Sequence, residues 1–290
     1  MTPSATPTPP LPGVAFIGGG QMARALIAGL CAAGQPATTL AVADISAEAR
    51  QALERDFPGI YTTAEPTVAA ARAGLWVLAV KPQQMEAVSR SLQELATNHR
   101  PTVLSVAAGT TLAQLQEWLG AAVPVVRTMP NRPAFVGAGI TGLYASISVG
   151  FAARNHAAAL MRAAGDIVWV TEERLLDAVT AVSGSGPAYF FLLIEALAAA
   201  GEAIGLPAAT ARELAVTTAY GAGKMARDTG VPPSELREQV TSKGGTTAAA
   251  LAVFEAGGFR QLVGTAVAAA DLRAKELAGP ATTPTSSTPA

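Results

Sequence analysis

Short apolar runs recur between residues 14 and 171, at 14–18, 40–44, 75–80, 103–107, 123–127, 140–144 and 167–170. Between them lie amphipathic or Ala-rich stretches with helical character, at 21–33, 47–57, 83–96 and 111–119. A strand covered on both faces needs an almost continuous apolar run, and strands alternating with helices predict a mostly parallel, doubly wound α/β sheet. The later strands leave room for antiparallel pairing at one edge. Beyond residue 171 the strand pattern stops. Six helices are predicted, at 175–183, 187–204, 208–228, 233–242, 246–255 and 259–275. Gly-Ser-Gly-Pro, Gly-Leu-Pro, Gly-Val-Pro-Pro and two Gly-Gly pairs punctuate them. The reading is therefore two domains, 13–171 of α/β type and 172–278 all-helical. They are flanked by Thr/Pro-rich tails at 1–12 and 279–290, expected to be disordered.

Composition sharpens this. Half of the 290 residues are apolar and only 14% are charged, enough to bury a sizeable core. Aromatics are 5%, so Ala, Leu and Val must build that core. An Ala- and Gly-rich helical domain has difficulty burying its faces alone, and pairing with a second copy is expected. The formal net charge is −1 and Lys and Arg form no long run, which speaks against nucleic-acid binding. Cys31 is the only cysteine and His99 and His156 the only histidines, a poor set for a metal site. No uninterrupted apolar stretch approaches about 18 residues, so no membrane span is expected. A reducing, cytoplasmic setting fits the single cysteine.

The first chemical signal is Gly18-Gly19-Gly20-Gln21-Met22-Ala23, placed between a predicted strand and a predicted helix. Gly18 suits a tight turn. Gly20 lets backbone approach a pyrophosphate, and Ala23 is small enough for the helix to lie against the strand. The N–H groups at the start of that helix suit phosphate oxygens. The arrangement reads as a dinucleotide site, with Gly18, Gly20, Gln21 and Met22 as contacts. Asp44 ends the next strand, where an acidic side chain binds the adenosine ribose and favours NAD(H) over NADP(H); Arg50 stands nearby to offset it. A helix cap at Asp44 or Ser46 explains the same residue equally well. Ala79-Val80-Lys81-Pro82 and Ala107-Ala108-Gly109 end two further strands at the edge where the cofactor is expected, the latter with side chains small enough for a flat ring.

Two segments of the helical half combine glycine with hydroxyl residues at helix starts: Ser183-Gly184-Ser185-Gly186-Pro187 and Thr241-Ser242-Lys243-Gly244-Gly245-Thr246-Thr247. Each on its own reads as a helix cap. Together, downstream of a dinucleotide site, they suit a small carboxylate. Neither contains His, Asp or Glu, which argues against chemistry led by a strong general base and suits reduction of a C=N bond.

With Arg127-Thr128-Met129-Pro130-Asn131 added to these motifs, the sequence resembles the pyrroline-5-carboxylate reductases from about residue 14 to 277. The resemblance implies an N-terminal Rossmann domain and a helical dimerisation domain. It implies NADP(H), with NAD(H) in view because of Asp44, and reduction of 1-pyrroline-5-carboxylate, a cyclic imino acid, to L-proline. It also implies a homodimer or a higher homo-oligomer such as a decamer. Thr247 matches the threonine that hydrogen-bonds the ring nitrogen. Ser242, Gly244, Gly245 and Thr246 would hold the carboxylate. Met129, Pro130, Asn131 and Ser185 would line the substrate pocket. Arg132 and Lys243 depart from the family pattern, which commonly has Thr and Pro there. The glycine-helix Lys of 3-hydroxyacid dehydrogenases has a superficial counterpart in Lys224, but Asp228 four residues on makes a surface ion pair the expected reading.

Overall fold

A computed structural model describes residues 11–147 and 149–278. All but two residues of the expected tails, and Ser148, lie outside that range. Eight strands form a single sheet: β1 (Val14–Ile17), β2 (Leu40–Ala43), β3 (Tyr61–Thr63), β4 (Leu75–Leu78), β5 (Thr102–Ser105), β6 (Val125–Met129), β7 (Gly139–Ala145) and β8 (Gly165–Trp169). Their order is β3-β2-β1-β4-β5-β6-β7-β8. The first six run parallel, β7 is antiparallel to β6, and β8 is parallel to β7. The antiparallel step therefore falls near one edge, as the sequence allows.

Helices α1 (Gln21–Ala32), α2 (Ala47–Asp56), α3 (Pro66–Ala70), α4 (Pro82–His99), α5 (Leu112–Leu119), α6 (Phe151–Arg162) and α7 (Leu175–Val179) accompany the strands. Every residue of β1, β2 and β4 is buried, because alternate side chains feed two separate cores. Phe16, Val42 and Val77 pack with Leu26 and Ile27 of α1 and with Leu160 of α6. Ile17, Trp76 and Leu78 pack with Met85 and Leu92 of α4 and Leu115 of α5. The Trp76 indole N–H, buried in the second core, donates to the carbonyls of Ala70 and Ala73, both at 2.9 Å.

Four elements depart from the sequence expectation. β3 adds an eighth strand at the sheet edge; its Tyr-Thr-Thr is half-buried and offers no apolar run to read. α3 and α6 also go unpredicted. The helix expected at 175–183 ends at Val179 and continues as a π-helical turn, Thr180–Gly184.

The chain divides into two compact units, one reaching to Gly184 and resuming at Asp271, the other Ser185–Ala270. The packing break thus falls after the 171 boundary that the strand pattern suggested. Residues 172–184 are held to the sheet by side chains that the pattern does not show. Glu173 pairs with Arg127, Asn131 donates to the Ser183 carbonyl, and Gly142 admits Val179 so closely that a Cβ there would lie 2.7 Å from its methyl.

The second unit holds α8 (Gly186–Ala203), α9 (Ala208–Thr229), α10 (Pro233–Gln239), α11 (Thr246–Ala256) and the start of α12 (Phe259–Ala278). Only Gly186, Ala211 and Ala215 are buried there. The run Leu175–Ala203 is long and apolar enough, by length and composition, to cross a membrane, although the π turn interrupts it and Asp177, Glu195 and Glu202 lie along it.

Candidate functional site

The turn after β1 is shaped by its neighbours. Gly18 has φ +102°, and a Cβ there would stand 2.6 Å from the Ala79 carbonyl oxygen, so only glycine fits beside the end of β4. Its N–H donates to Ala43 at 2.8 Å. Gly20, by contrast, is exposed and faces open space. It caps α1 with no side-chain hydrogen bond, and no acidic residue occupies the first turn. Among the described residues, no side chain therefore competes for the first N–H groups of α1.

Asp44 anchors this turn. Its Oδ2 accepts the Gly19 N–H at 2.8 Å and its Oδ1 accepts the Ser46 N–H at 2.9 Å. The cap of α2 is Ser46, whose hydroxyl accepts the Ala49 N–H, so of the two cap candidates it is Ser46 that caps. Arg50 donates to the carbonyls of Asp44 and Ile45, at 2.7 and 3.2 Å, which brings its guanidinium to the same rim.

Gly18, Gly20, Asp44, Ile45, Val80 and Lys81 line a groove of about 320 Å³ at the carboxyl ends of β1, β2 and β4. Helix crossovers change sides between β1 and β4, and nucleotides bind open α/β sheets at such a point. Gln21 is exposed and Met22 half-buried beside the turn. Ala79 also lines the groove. Lys81 is exposed, caps α4, and makes no ion pair among the described residues; Pro82 is the first residue of that helix.

Ala107, Ala108 and Gly109 lie further along the same edge. With Thr128, Met129 and Asp177 they line a small cavity of about 30 Å³. Ser105 supports the loop: its carbonyl accepts the Thr128 hydroxyl at 2.9 Å. Pro130 and Asn131 are buried. The Asn131 amide is used on both sides, donating to Ser183 at 3.1 Å and accepting the Ile140 N–H at 2.9 Å. It braces the loop after β6. Met129 lies against Gly184, where a Cβ would come within 2.7 Å of its methyl.

A group of charges here goes unread in the sequence. Arg127 is 7% exposed and its Nη1 lies 2.5 Å from Glu173 Oε1. Asp177 is nearby, and burial pushes its carboxyl above the usual aspartate range, with Arg127 opposing that shift. The available signal was an arginine inside the apolar strand Val-Val-Arg-Thr-Met, since a buried charge demands a partner.

In the second unit, α11 starts at Thr246 behind Gly244, which has φ +72°, and Gly245, which caps the helix with no side-chain bond. A Cβ on Gly245 would lie 2.3 Å from Ser242 Oγ. Gly245 donates its N–H to the Ser242 carbonyl at 3.1 Å. The hydroxyls of Ser242, Thr246 and Thr247 have no partner among the described residues, and Thr247 is half-buried. Ser185 caps α8 without a side-chain bond. Lys224 pairs with Asp228 on an exposed helix face, as the spacing predicts. Burial raises the Cys31 thiol above its ordinary range, in keeping with an unreactive packing role.

A doubly wound sheet with a glycine turn and an uncapped helix start at its switch point defines a dinucleotide-binding oxidoreductase fold. Residues 13–109 match a family described as NADP oxidoreductase, coenzyme F420-dependent, and residues 173–277 match pyrroline-5-carboxylate reductase dimerisation. A pyrroline-5-carboxylate reductase of Pseudomonas aeruginosa is 47% identical over 92% of this chain and 97% of its own. The structure of such a reductase from Coxiella burnetii superposes with a TM-score of 0.90 at 40% identity, covering 93% of this chain and all of the other. The Plasmodium falciparum structure, solved with NADP bound, gives 0.80 at 27% identity, covering 92% and 98%. The chain belongs to the pyrroline-5-carboxylate reductase family.

Proposed function

We propose that this protein reduces the ring C=N bond of 1-pyrroline-5-carboxylate to L-proline with NADPH or NADH, the last step of proline biosynthesis. The observation that carries the reading is the 47% identity over nearly the whole of a reductase of that name, in a chain whose glycine turn and α1 start are free to take a pyrophosphate. When bound, the nicotinamide supplies a hydride to the imine carbon.

In this reading Gly18, Gly20, Gln21, Met22, Ala79, Val80, Lys81 and Pro82 hold the dinucleotide, and Ala107, Ala108 and Gly109 face its nicotinamide end. Asp44 already accepts two backbone N–H groups, which limits what it offers a ribose. The Arg50 guanidinium at the same rim favours a ribose phosphate, so NADP(H) is preferred and NAD(H) accepted. Ser242, Gly244, Gly245 and Thr246 take the substrate carboxylate with backbone N–H groups and free hydroxyls at a positive helix end. Met129, Pro130, Asn131 and Ser185 shape the substrate pocket. Thr247 is the catalytic residue. The imine nitrogen carries its own proton, and Thr247 Oγ1 accepts the hydrogen bond that holds it, so no strong general base is needed.

Residues 13–171 serve as the nucleotide domain and 172–278 as the substrate and dimerisation domain. A dimerisation region implies a homo-oligomer, and we assign a dimer or a decamer built from dimers, cytoplasmic and free of membrane and nucleic acid. The exposed apolar residues of α8 then meet a second copy rather than lipid.

Purified protein given NADPH or NADH and pyrroline-5-carboxylate should lose reduced-nicotinamide absorbance in proportion to added substrate; no substrate-dependent loss overturns the reading. Thr247→Ala should lower kcat about a hundredfold with the Kd for NADPH unchanged. An equal loss of cofactor binding would remove Thr247 from the catalytic role.

A further inference from the structure

We propose that Glu173 and Arg127 are positioning residues that hold the 107–112 loop in the shape that receives the nicotinamide half of the cofactor. The inference rests on reading the β1–β4 groove as the dinucleotide site and assigns the pair a function there.

Glu173 Oε1 accepts two hydrogen bonds at once. One comes from Arg127 Nη1 at 2.5 Å, the other from the backbone N–H of Leu112 at 2.6 Å. Leu112 is the first residue of α5, and the loop 107–111 leads directly into it. Three segments far apart in sequence are thereby tied at one oxygen: the middle of β6, the 172–174 segment and the start of α5. A bare helix end does not need a charged residue from so far away. α5 already has a complete capping box, with Thr111 accepting the Gln114 N–H and the Gln114 side chain accepting the Thr111 N–H. The Glu173 bond is additional to that cap. Arg127 is almost wholly buried, so its charge depends on this partner.

The opposite side of the loop is also fixed. Gly109 has φ +76°, and a Cβ there would lie 2.9 Å from the Leu277 carbonyl oxygen near the end of α12. The loop is held between that carbonyl and Glu173. Its contacts therefore set how closely Ala107, Ala108 and Gly109 can approach a ring, and the pair touches none of the reacting atoms itself.

This makes a separable prediction. ADP-ribose carries the adenosine and pyrophosphate of the cofactor but no nicotinamide, so it probes the glycine turn alone. Calorimetric titration of Glu173→Ala should show NADH bound about tenfold more weakly and ADP-ribose bound as in the unaltered protein, with kcat lowered by a similar factor. Glu173→Gln keeps an acceptor for Leu112 and should recover most of the NADH affinity. Equal weakening of NADH and ADP-ribose, or no change in either, overturns the proposal. If Glu173→Ala does not fold, Glu173→Asp decides in its place. It keeps the charge but is one methylene too short to hold both partners, and the same selective loss of about fivefold is expected, with an unselective loss counting against. Failure of the unaltered protein to bind ADP-ribose would instead sink the dinucleotide reading of the groove.

Discussion

The two units of this chain bury their apolar residues very differently. In the sheet unit the central strands are wholly covered, and Phe16, Trp76 and Leu104 are 0% exposed. In the helical unit Phe190, Leu192, Val253 and Leu262 are 66%, 67%, 74% and 67% exposed, and only two alanines and a glycine are buried. The first has a finished core within one chain. The second has the surface of a core cut in half, which is how obligate interfaces look. In the proposed homo-oligomer that face is where a second copy would complete the core.

Five substitutions would break or sharpen that contrast. The largest effect is expected from Leu192→Glu. A carboxylate forced into a face that meets a second copy faces a penalty of several kcal/mol, and the oligomer should dissociate in analytical ultracentrifugation. An unchanged mass would place the interface elsewhere. Next, Leu104→Ala should remove about 3 kcal/mol from the sheet unit, as cavity-forming core substitutions do, with a midpoint independent of protein concentration. Leu262→Ala should instead show a loss that shifts with concentration in denaturant melts. Asp44→Ala leaves the Gly19 and Ser46 N–H groups without an acceptor and should lower stability by about 2 kcal/mol. It should also raise the NADPH/NADH ratio of kcat/KM. A changed stability with an unchanged ratio would confine Asp44 to holding the turn. The smallest effect belongs to Lys224→Ala: the exposed pair with Asp228 should contribute nothing measurable to the melting temperature.

What was legible in the sequence follows from the same contrast. Strands buried on both faces write themselves as apolar runs, so β1, β2, β4, β5 and β6 are each visible within a few residues. β3 is not, because an edge strand of Tyr-Thr-Thr carries no such run. The π turn at Thr180–Gly184 is invisible for another reason: its neighbours, such as Met129 against Gly184, come from residues far apart in sequence. The Arg127–Glu173 pair is hidden in the same way, whereas Lys224 and Asp228, one helical turn apart, are readable at sight. The glycine turn was legible as a motif, whereas the bond from the Gly19 N–H to Asp44 joins residues 25 apart in sequence and could not be read there. The helix start at Thr246 was legible because it is a local event that needs only its own few residues.

The close fit of Gly18 against Ala79 has a consequence for how the protein is made. Residue 18 emerges early in synthesis, but the neighbour that closes its turn arrives some sixty residues later, after β2, β3 and the helices α1, α2 and α3, when the Ala79 N–H docks on the Ile17 carbonyl at 2.8 Å. Until then the nascent chain has the glycines without the pocket. The ability to retain a nucleotide should therefore appear abruptly during elongation, as a marker of β4 joining the growing sheet.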